Sequence, residues 1–171
     1  MLDNIIVIAR IGRPYKLNGS LNLHILGRTG KVILSYKELY VQRKNDNLEW
    51  KKPKIGAIKY VDDRRYLIKF SDVNSRECAK LYTNAVLGVP RNNLHPLDQD
   101  EYYWADLINM NVINRQGFQF GRVKNIIETG SNAVLCCKKA QNTTMIPFLK
   151  SYINQVNHKE KQIIVNWEDD Y

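Results

Sequence analysis

Residues 4–26 read NIIVIARIGRPYKLNGSLNLHIL, two apolar runs separated by a polar stretch with two glycines and a proline. In residues 21–26 the apolar side chains alternate with Asn22 and His24. Successive side chains of a strand point to opposite faces, so this alternation predicts a strand with one buried face. Residues 4–11 also have the composition of a strand. The segment therefore predicts two β-strands joined by a polar loop.

The same kind of pattern continues through the first 90 residues. A hairpin is predicted in IKYVDDRRYLIKF, with Asp62 and Asp63 in its turn. Because a sheet with this many strands tends to close on itself, we expect a β-barrel. The further β runs of this part are residues 38–43, 55–60, 65–70 and 85–89.

One short helix interrupts the strands, over about residues 75–82. Asn74 is placed to cap its first turn, and Glu77 three residues later completes a capping box. Cys78, Leu81 and Tyr82 then fall on one side of the helix. An apolar stripe at helical spacing is typical of core packing, so this helix is expected to cover the mouth of the barrel.

Residues 91–101, RNNLHPLDQDE, combine a proline with several charges and show no sustained apolar period. This composition predicts a linker. VNHKEKQIIV at residues 156–165 is a candidate hairpin among the later strands. The chain is therefore predicted to be mostly β, with domains at residues 1–90 and 102–171. The second domain's β runs are residues 111–114, 120–128, 133–138, 144–149, 152–156 and 163–167.

Charge is divided unevenly between the two parts. Residues 1–96 hold 18 Lys and Arg against 8 Asp and Glu, a net charge of +10. Residues 97–171 hold 8 against 9, a net charge of −1. This segregation favours a polyanionic partner for the first part, and nucleic acid is the first candidate. Codon drift in an AT-rich genome is the competing explanation of the many lysines, but it does not explain their segregation.

Several classes of protein are disfavoured by the sequence. The longest apolar runs are far shorter than the roughly 20 residues of a membrane helix, so we expect a cytoplasmic protein with no membrane partner. Cys78, Cys136 and Cys137 form no CxxC pair, and the three histidines are scattered. Adjacent cysteines on a strand point to opposite faces, so neither a metal site nor a disulfide is expected at Cys136 and Cys137. No cofactor is expected either.

Catalytic patterns are also missing from the sequence. It contains no GxGxxG, P-loop, HExxH or GxSxG pattern. No nucleophile, base and orienting group can be named together, which disfavours an enzyme. Binding surfaces are the remaining candidates.

The loop predicted within residues 10–24 supplies the candidates for contact with RNA. Cationic side chains suit phosphate, and a tyrosine can stack on a base. Gly12 and Gly19 would let the backbone approach a ligand closely, or would serve only as a tight connection between strands. Both interpretations stay open. The RNA-facing candidates are Arg10, Arg13, Tyr15 and Lys16.

Three consecutive aromatic residues, Tyr102, Tyr103 and Trp104, follow the predicted linker. In an extended segment they cannot all face one core, so at least one is expected to be exposed. Exposed Tyr and Trp are favoured anchors at interfaces. Packing between the two domains is the competing use.

Five motifs follow one another along the chain: IGRPYKLNGSLNLH, SDVNSRECAKLYTNAVLGVPRNNL, DEYYWADLINMNV, GRVKNIIETGSNAVLCC, and MIPFL followed by IIVNW. Taken in this order, they resemble the ribosome maturation factor RimM family almost from end to end. Their order and spacing carry the resemblance more than any one of them.

The resemblance implies an N-terminal six-stranded β-barrel, like those of translation proteins, joined to a C-terminal PRC-barrel. It implies a monomeric, non-catalytic assembly factor that binds the free 30S subunit and assists maturation of the 3′ (head) domain of 16S rRNA. Contact with small-subunit ribosomal protein number nineteen is implied as well. The family's paired aromatic, associated with docking on the subunit, corresponds to Tyr102 and Tyr103.

The chain departs from the family pattern at two places. Tyr15 and Lys16 stand where the family usually has His-Gly, and Ala133 stands where it usually has an acidic residue. Turn residues Gly19, Gly130 and Asn132 match the pattern. The alternatives to an assembly factor are an RNA-processing enzyme, a generic RNA-binding barrel, and an adaptor that binds only protein.

Overall fold

In a computed structural model the protein is described over residues 4–27, 30–62, 65–98, 100–129 and 132–168. The chain forms two compact units, Met1–Tyr103 and Trp104–Tyr171. Each unit is built on one β-sheet, so the prediction of a mostly β protein with two small domains is confirmed. The predicted linker, residues 91–101, lies in the first unit, where Leu94 and Leu97 pack against the core.

Seven strands form the sheet of the first unit, in the order β4-β3-β7-β1-β2-β6-β5. The six strands predicted from the sequence are all present, and the two-residue β4 is an addition. The strands are β1 (Ile5–Tyr15), β2 (Ser20–Ile25), β3 (Tyr40–Gln42), β4 (Trp50–Lys51), β5 (Ile55–Asp62), β6 (Arg65–Phe70) and β7 (Val86–Pro90).

One face of this sheet is buried. β2 and β6 alternate strictly between buried and partly or fully exposed residues. This is the pattern that sequence alternation predicted for LNLHIL, and it places His24 outside. Short 3₁₀ helices at Gly30–Ser35 and Arg91–Asn93 complete the unit. The core includes Ile8, Ile11, Leu21, Leu23, Ile33, Tyr66, Ile68, Phe70 and Leu87.

Helix α1 (Arg76–Lys80) is shorter than predicted and is capped by a different residue. The cap is Ser75 and not Asn74: Ser75 has extended backbone angles, and its side chain accepts a hydrogen bond from the Cys78 amide at 3.2 Å. The predicted apolar stripe is wrong in part, because Cys78 and Leu81 are exposed. The core contact comes instead from the buried Ala79 and from the partly buried Tyr82, which packs against the core cluster.

The second unit holds a six-stranded sheet in the order β11-β10-β9-β8-β13-β12, with β13 parallel to β8 and the other pairs antiparallel. All six predicted strands and the predicted β12–β13 hairpin are confirmed. A one-turn helix, α2 (Trp104–Leu107), precedes them and was not predicted. The strands are β8 (Asn111–Asn114), β9 (Gln119–Thr129), β10 (Asn132–Lys139), β11 (Asn142–Pro147), β12 (Ile153–Asn157) and β13 (Gln162–Val165).

Cys136 and Cys137 are both buried in β10, with free thiols. The pairing register of β10 with β9 shifts between these two residues, so a bulge lies between them. Burial raises the pKa of the Cys137 thiol to about 12, and it raises the pKa of Cys136 as well. Both side chains therefore act as small apolar groups of the core.

Candidate RNA-binding and docking surfaces

The predicted RNA-facing cations are held by strand β1 and the turn after it. Arg10 and Arg13 are three residues apart, a spacing that puts side chains on opposite faces of a regular strand. Ile11 pairs with Leu23 and Pro14 pairs with Leu21, so β1 advances by three residues where β2 advances by two. This bulge re-aims the strand, and both arginines are exposed. The loop predicted over this segment is therefore mostly strand, and only residues 16–19 form the turn.

Lys16 has a left-handed backbone conformation, with φ at 58°. It is exposed, and its Nζ lies 5.3 Å from the centre of the Tyr15 ring. A cation over an aromatic face is attracted by the ring quadrupole. Tyr15 is partly buried, so the predicted stacking residue already carries a cation beside its ring.

Gly12 and Gly19 are required in this segment for different structural reasons. Gly19 lies in the turn with φ at 82°, and a Cβ there would meet the Val73 carbonyl oxygen at 2.2 Å. Gly12 lies within β1 and not in a turn. A Cβ on Gly12 would come 2.6 Å from Nε2 of His24. Gly12 therefore leaves the space in which the His24 ring lies against the strand.

Two ion pairs of the first unit join residues outside this segment. Lys52 pairs with Glu38 at 2.6 Å, and Arg43 pairs with Asp46 at 2.7 Å. The hydrogen bond from Lys52 holds the pKa of Glu38 below its ordinary value. Arg10, Arg13 and Lys16 enter no ion pair within the described residues. Their charges face solvent and are open to an external anion.

His24 and Arg65 were not singled out by the sequence analysis, but they belong to the same surface as Arg10. His24 is opposite Arg10 on β2, and Arg65 is opposite His24 on β6. All three side chains are exposed. Alternation in LNLHIL and RYLIKF marks His24 and Arg65 as outward-facing, but alternation within single strands does not reveal their register across the sheet.

The predicted docking aromatics separate into different environments. Tyr103 is 8% exposed and belongs to the core of the first unit. Its hydroxyl donates to the His95 carbonyl at 2.8 Å and lies 3.0 Å from the Tyr36 hydroxyl. The ring of Tyr36 is in turn 4.8 Å from that of His95. Tyr103 therefore secures the segment after β7 to the first unit.

Tyr102 and Trp104 are both partly buried. Burial raises the pKa of the Tyr102 phenol, and the Asp100 carboxylate adds to the effect. Trp104 is the first residue of α2 and of the second unit. Of the three aromatic residues, these two keep part of their surface available to a partner.

Asn132 flanks the β9–β10 hairpin, where it pairs with Thr129 and its carbonyl accepts from the Thr129 hydroxyl at 3.2 Å. Gly130, predicted to form this turn, lies outside the described residues. A further polar residue that the sequence analysis missed is Asn114, which is 6% exposed at the end of β8. Its side chain organises the turn between β8 and β9.

Two other features are absent from the described part of the chain. It holds no group of three or more His, Cys, Asp or Glu side chains placed to ligate a metal ion. No helix in those residues is long and apolar enough to cross a membrane.

Comparison with known proteins matches both units of the chain. The family model of the RimM N-terminal domain matches residues 6–94, and that of the RimM PRC barrel domain matches residues 104–171. Ribosome maturation factor RimM of Francisella tularensis subsp. tularensis is 41% identical over 171 residues, 100% of both chains. That of Coxiella burnetii is 31% identical over 97% of this chain and 96% of its own.

Among solved structures, RimM from Pseudomonas aeruginosa covers 98% of this chain and 100% of its own, with 19% identity and a TM-score of 0.47. The family assignment rests on the sequence matches, which span both units. The chain belongs to the RimM family of ribosome maturation factors, with a RimM N-terminal domain followed by a RimM PRC barrel domain.

Proposed function

We propose that this protein binds the free 30S ribosomal subunit and assists maturation of the 3′ (head) domain of its 16S rRNA. Support comes from family membership over the whole chain, because relatives 41% identical over their full length are named ribosome maturation factors. The observation that carries the RNA contact is the exposed cationic surface of β1 and the turn after it. Residues 1–96 bear a net charge of +10, which suits a polyanionic partner.

In this proposal Arg10, Arg13 and Lys16 lie against rRNA phosphates, and Tyr15 lies beside a base or sugar. The arginines suit phosphate because a guanidinium donates two parallel hydrogen bonds to it. Contacts of this kind carry little sequence information. In this proposal, selection of the 30S head falls to the second unit and to Tyr102 and Trp104, on either side of the boundary between the units.

Tyr102 and Trp104 are the residues proposed to dock on the subunit, with small-subunit ribosomal protein number nineteen as the protein partner. Tyr and Trp provide a large apolar surface with a polar group at one edge, which suits an interface anchor. Tyr103 contributes indirectly, since its buried ring and its hydroxyl bonds hold the backbone beside Tyr102.

The proposed mechanism is binding without turnover, by a monomer in the cytoplasm where subunits are assembled. A factor that binds the native-like head more tightly than misfolded forms shifts the population toward the native-like head. The size of the shift is set by the difference between the two affinities. Such a factor needs no catalytic group.

In vitro assembly of 30S subunits tests the function. We expect the protein to speed the appearance of hydroxyl-radical protections in the 3′ domain of 16S rRNA, with other domains unaffected. Identical protection rates with and without the protein would contradict the proposal. A change in the length of precursor rRNA, catalysed by the purified protein alone, would replace it with an RNA-processing enzyme.

Docking is tested with Tyr102→Ala, whose side chain is partly exposed. We expect weaker co-sedimentation with 30S subunits and unchanged thermal unfolding. Tyr102→Phe is the matched control, because it keeps the ring that is proposed to anchor the protein and should therefore keep most of the binding. Full retention of Tyr102→Ala on subunits would reject the docking role.

A further inference from the structure

The outer face of the first sheet carries a row of residues in register across five adjacent strands. Val86 of β7 is opposite Arg10 of β1, and Arg10 is opposite His24 of β2. His24 is opposite Arg65 of β6, and Arg65 is opposite Asp62 of β5. Residues paired in this way point to the same face of a sheet. The middle of the row therefore places two guanidinium groups on either side of an imidazole.

The three side chains are close enough to bind one ligand. Neighbouring strands lie about 4.8 Å apart, so Arg10 and Arg65 are separated by roughly 10 Å at the backbone, with His24 between them. All three are exposed. The row thus presents hydrogen-bond donors along a line that crosses the strands.

Gly12 lies beside this row and shapes it. The His24 ring lies where a Cβ of Gly12 would be, with Nε2 only 2.6 Å from that position. Asn22, the next outward residue of β2, donates its amide to the Arg13 carbonyl at 2.9 Å. A glycine of β1 and a short amide side chain of β2 therefore border the row on this side.

Among the described residues, a carboxylate pairs with the row at one end. Asp62 lies 3.3 Å from an Arg65 guanidinium nitrogen, and both side chains are more than half exposed. Within the described residues, neither Arg10 nor His24 is engaged in an ion pair. An exposed pair of this kind contributes little free energy, so Asp62 competes only weakly with an external anion.

We propose that Arg10, His24 and Arg65 form a binding row for the sugar-phosphate backbone of RNA, across strands β1, β2 and β6. This deepens the proposed function and rests on its RNA contact, but assigns that contact to the sheet face as well as to the turn after β1. The two guanidinium groups bind successive phosphates, and the imidazole donates a hydrogen bond between them. Recognition is of the backbone, and base sequence has little effect.

The test uses a fluorescently labelled oligouridylate and fluorescence anisotropy over a series of salt concentrations. For single strands the slope of log K against log salt falls by about 0.7 for each phosphate contact removed. We therefore expect Arg10→Gln with Arg65→Gln to reduce the slope by about 1.4 and to weaken binding about tenfold at low salt. We expect His24→Gln to weaken binding but to lower the slope by less than the roughly 0.7 of one phosphate contact.

The matched control is Lys37→Gln with Lys44→Gln, which removes the same charge from exposed positions of the same unit. We expect this control to keep the wild-type slope. Arg10→Lys with Arg65→Lys should restore the slope, since the ammonium groups also bind phosphate. Equal losses in the Gln pair and its control would overturn the proposal, as would polyglutamate displacing the RNA as effectively as unlabelled RNA does.

Gly12→Ala provides a second test should the double variant unfold. The added methyl group displaces the His24 ring and leaves the charges unchanged, so we expect weaker RNA binding with the wild-type slope. Unchanged affinity in both Gly12→Ala and His24→Gln would show that the imidazole takes no part in RNA binding. The oligouridylate result stands apart from 30S binding: wild-type protein that binds the oligonucleotide but no subunit would contradict the proposed function and not the row.

Discussion

Lys16 occupies a backbone conformation that glycine adopts at lower cost, and this gives a prediction at the scale of one residue. A left-handed conformation costs an ordinary residue about 1–2 kcal/mol, while glycine loses about 0.5–1 kcal/mol more backbone entropy on folding. We therefore expect Lys16→Gly to raise the free energy of unfolding by about 0.5–1 kcal/mol in urea titrations. Lys16→Ala keeps the strained φ of 58°, so it should give no gain.

Lys16→Gly should also weaken RNA binding, because it removes a cation from the turn. Stability and affinity are thus expected to move in opposite directions at Lys16. An equal gain in stability from Ala and Gly would show that the backbone conformation is not its source.

The three cysteines differ in reactivity for a reason visible in their burial. Cys78 is exposed, whereas Cys136 and Cys137 are buried. The thiolate is the reactive form, and burial raises the pKa of Cys137 to about 12. At pH 8 we expect one thiol per folded chain to react with an aromatic disulfide reagent within minutes, and three in denaturant. Cys78→Ser should abolish the fast phase. A fast phase that persists in that variant would contradict the assignment.

At the scale of elements, the cap of α1 gives a direct comparison of two adjacent residues. Ser75 accepts the Cys78 amide, so Ser75→Ala is expected to lower the free energy of unfolding by about 1 kcal/mol. Asn74→Ala should cost less than half as much, because the Asn74 side chain accepts a bond from the Lys69 ammonium and caps no amide. Urea unfolding of both variants decides between the two caps, and the reverse order would restore Asn74 as the cap.

The turn between β8 and β9 depends on the buried Asn114. Its Oδ1 accepts from the amides of Gln116 at 3.1 Å and Phe118 at 2.8 Å, and its Nδ2 donates to the Trp167 carbonyl at 3.3 Å. Asn114→Ala removes these three bonds and leaves partly buried backbone groups without partners, so we expect a loss of about 1–2 kcal/mol in the free energy of unfolding.

The control for Asn114 is Asn111→Ala in the same strand. Asn111 is exposed, so this exchange should cost less than about 0.5 kcal/mol. Similar losses at both positions in thermal or urea unfolding would show that Asn114 does not organise the turn.

The elements that sequence predicted well are those with a long, regular pattern. Alternation in residues 21–26 located β2 and its outward His24. The single-turn α2 and the two-residue β4 are too short to leave a period in the sequence. The cap was misplaced by one residue because Asn74 and Ser75 are both good capping residues.

The candidate site was predictable only in part, for a related reason. Arg10, Arg13 and Lys16 lie close together in the sequence, so the cluster of cations was enough to predict them as RNA-facing residues. Arg65 is far from them in sequence and joins them only through the register of β1, β2 and β6. The sequence also does not show which of three adjacent aromatic residues is buried. Tyr103 could therefore not be distinguished from Tyr102.

At the scale of the whole molecule, the positive charge is concentrated in the first of the two units. The first unit carries the positive charge and the cationic row, and the second begins at Trp104 with little net charge. Electrostatic contact with phosphates is long-ranged and weakened by salt, whereas docking on a protein surface depends less on salt. We therefore expect binding to free 30S subunits to combine a salt-sensitive part with a salt-resistant part.

The decisive measurement is co-sedimentation of the protein with free 30S subunits, 50S subunits and 70S ribosomes, at about 50 mM and about 200 mM salt. We expect selective retention by free 30S subunits, reduced but still present at the higher salt. Equal binding to all three particles that disappears at the higher salt would contradict it and leave a basic barrel that binds any RNA.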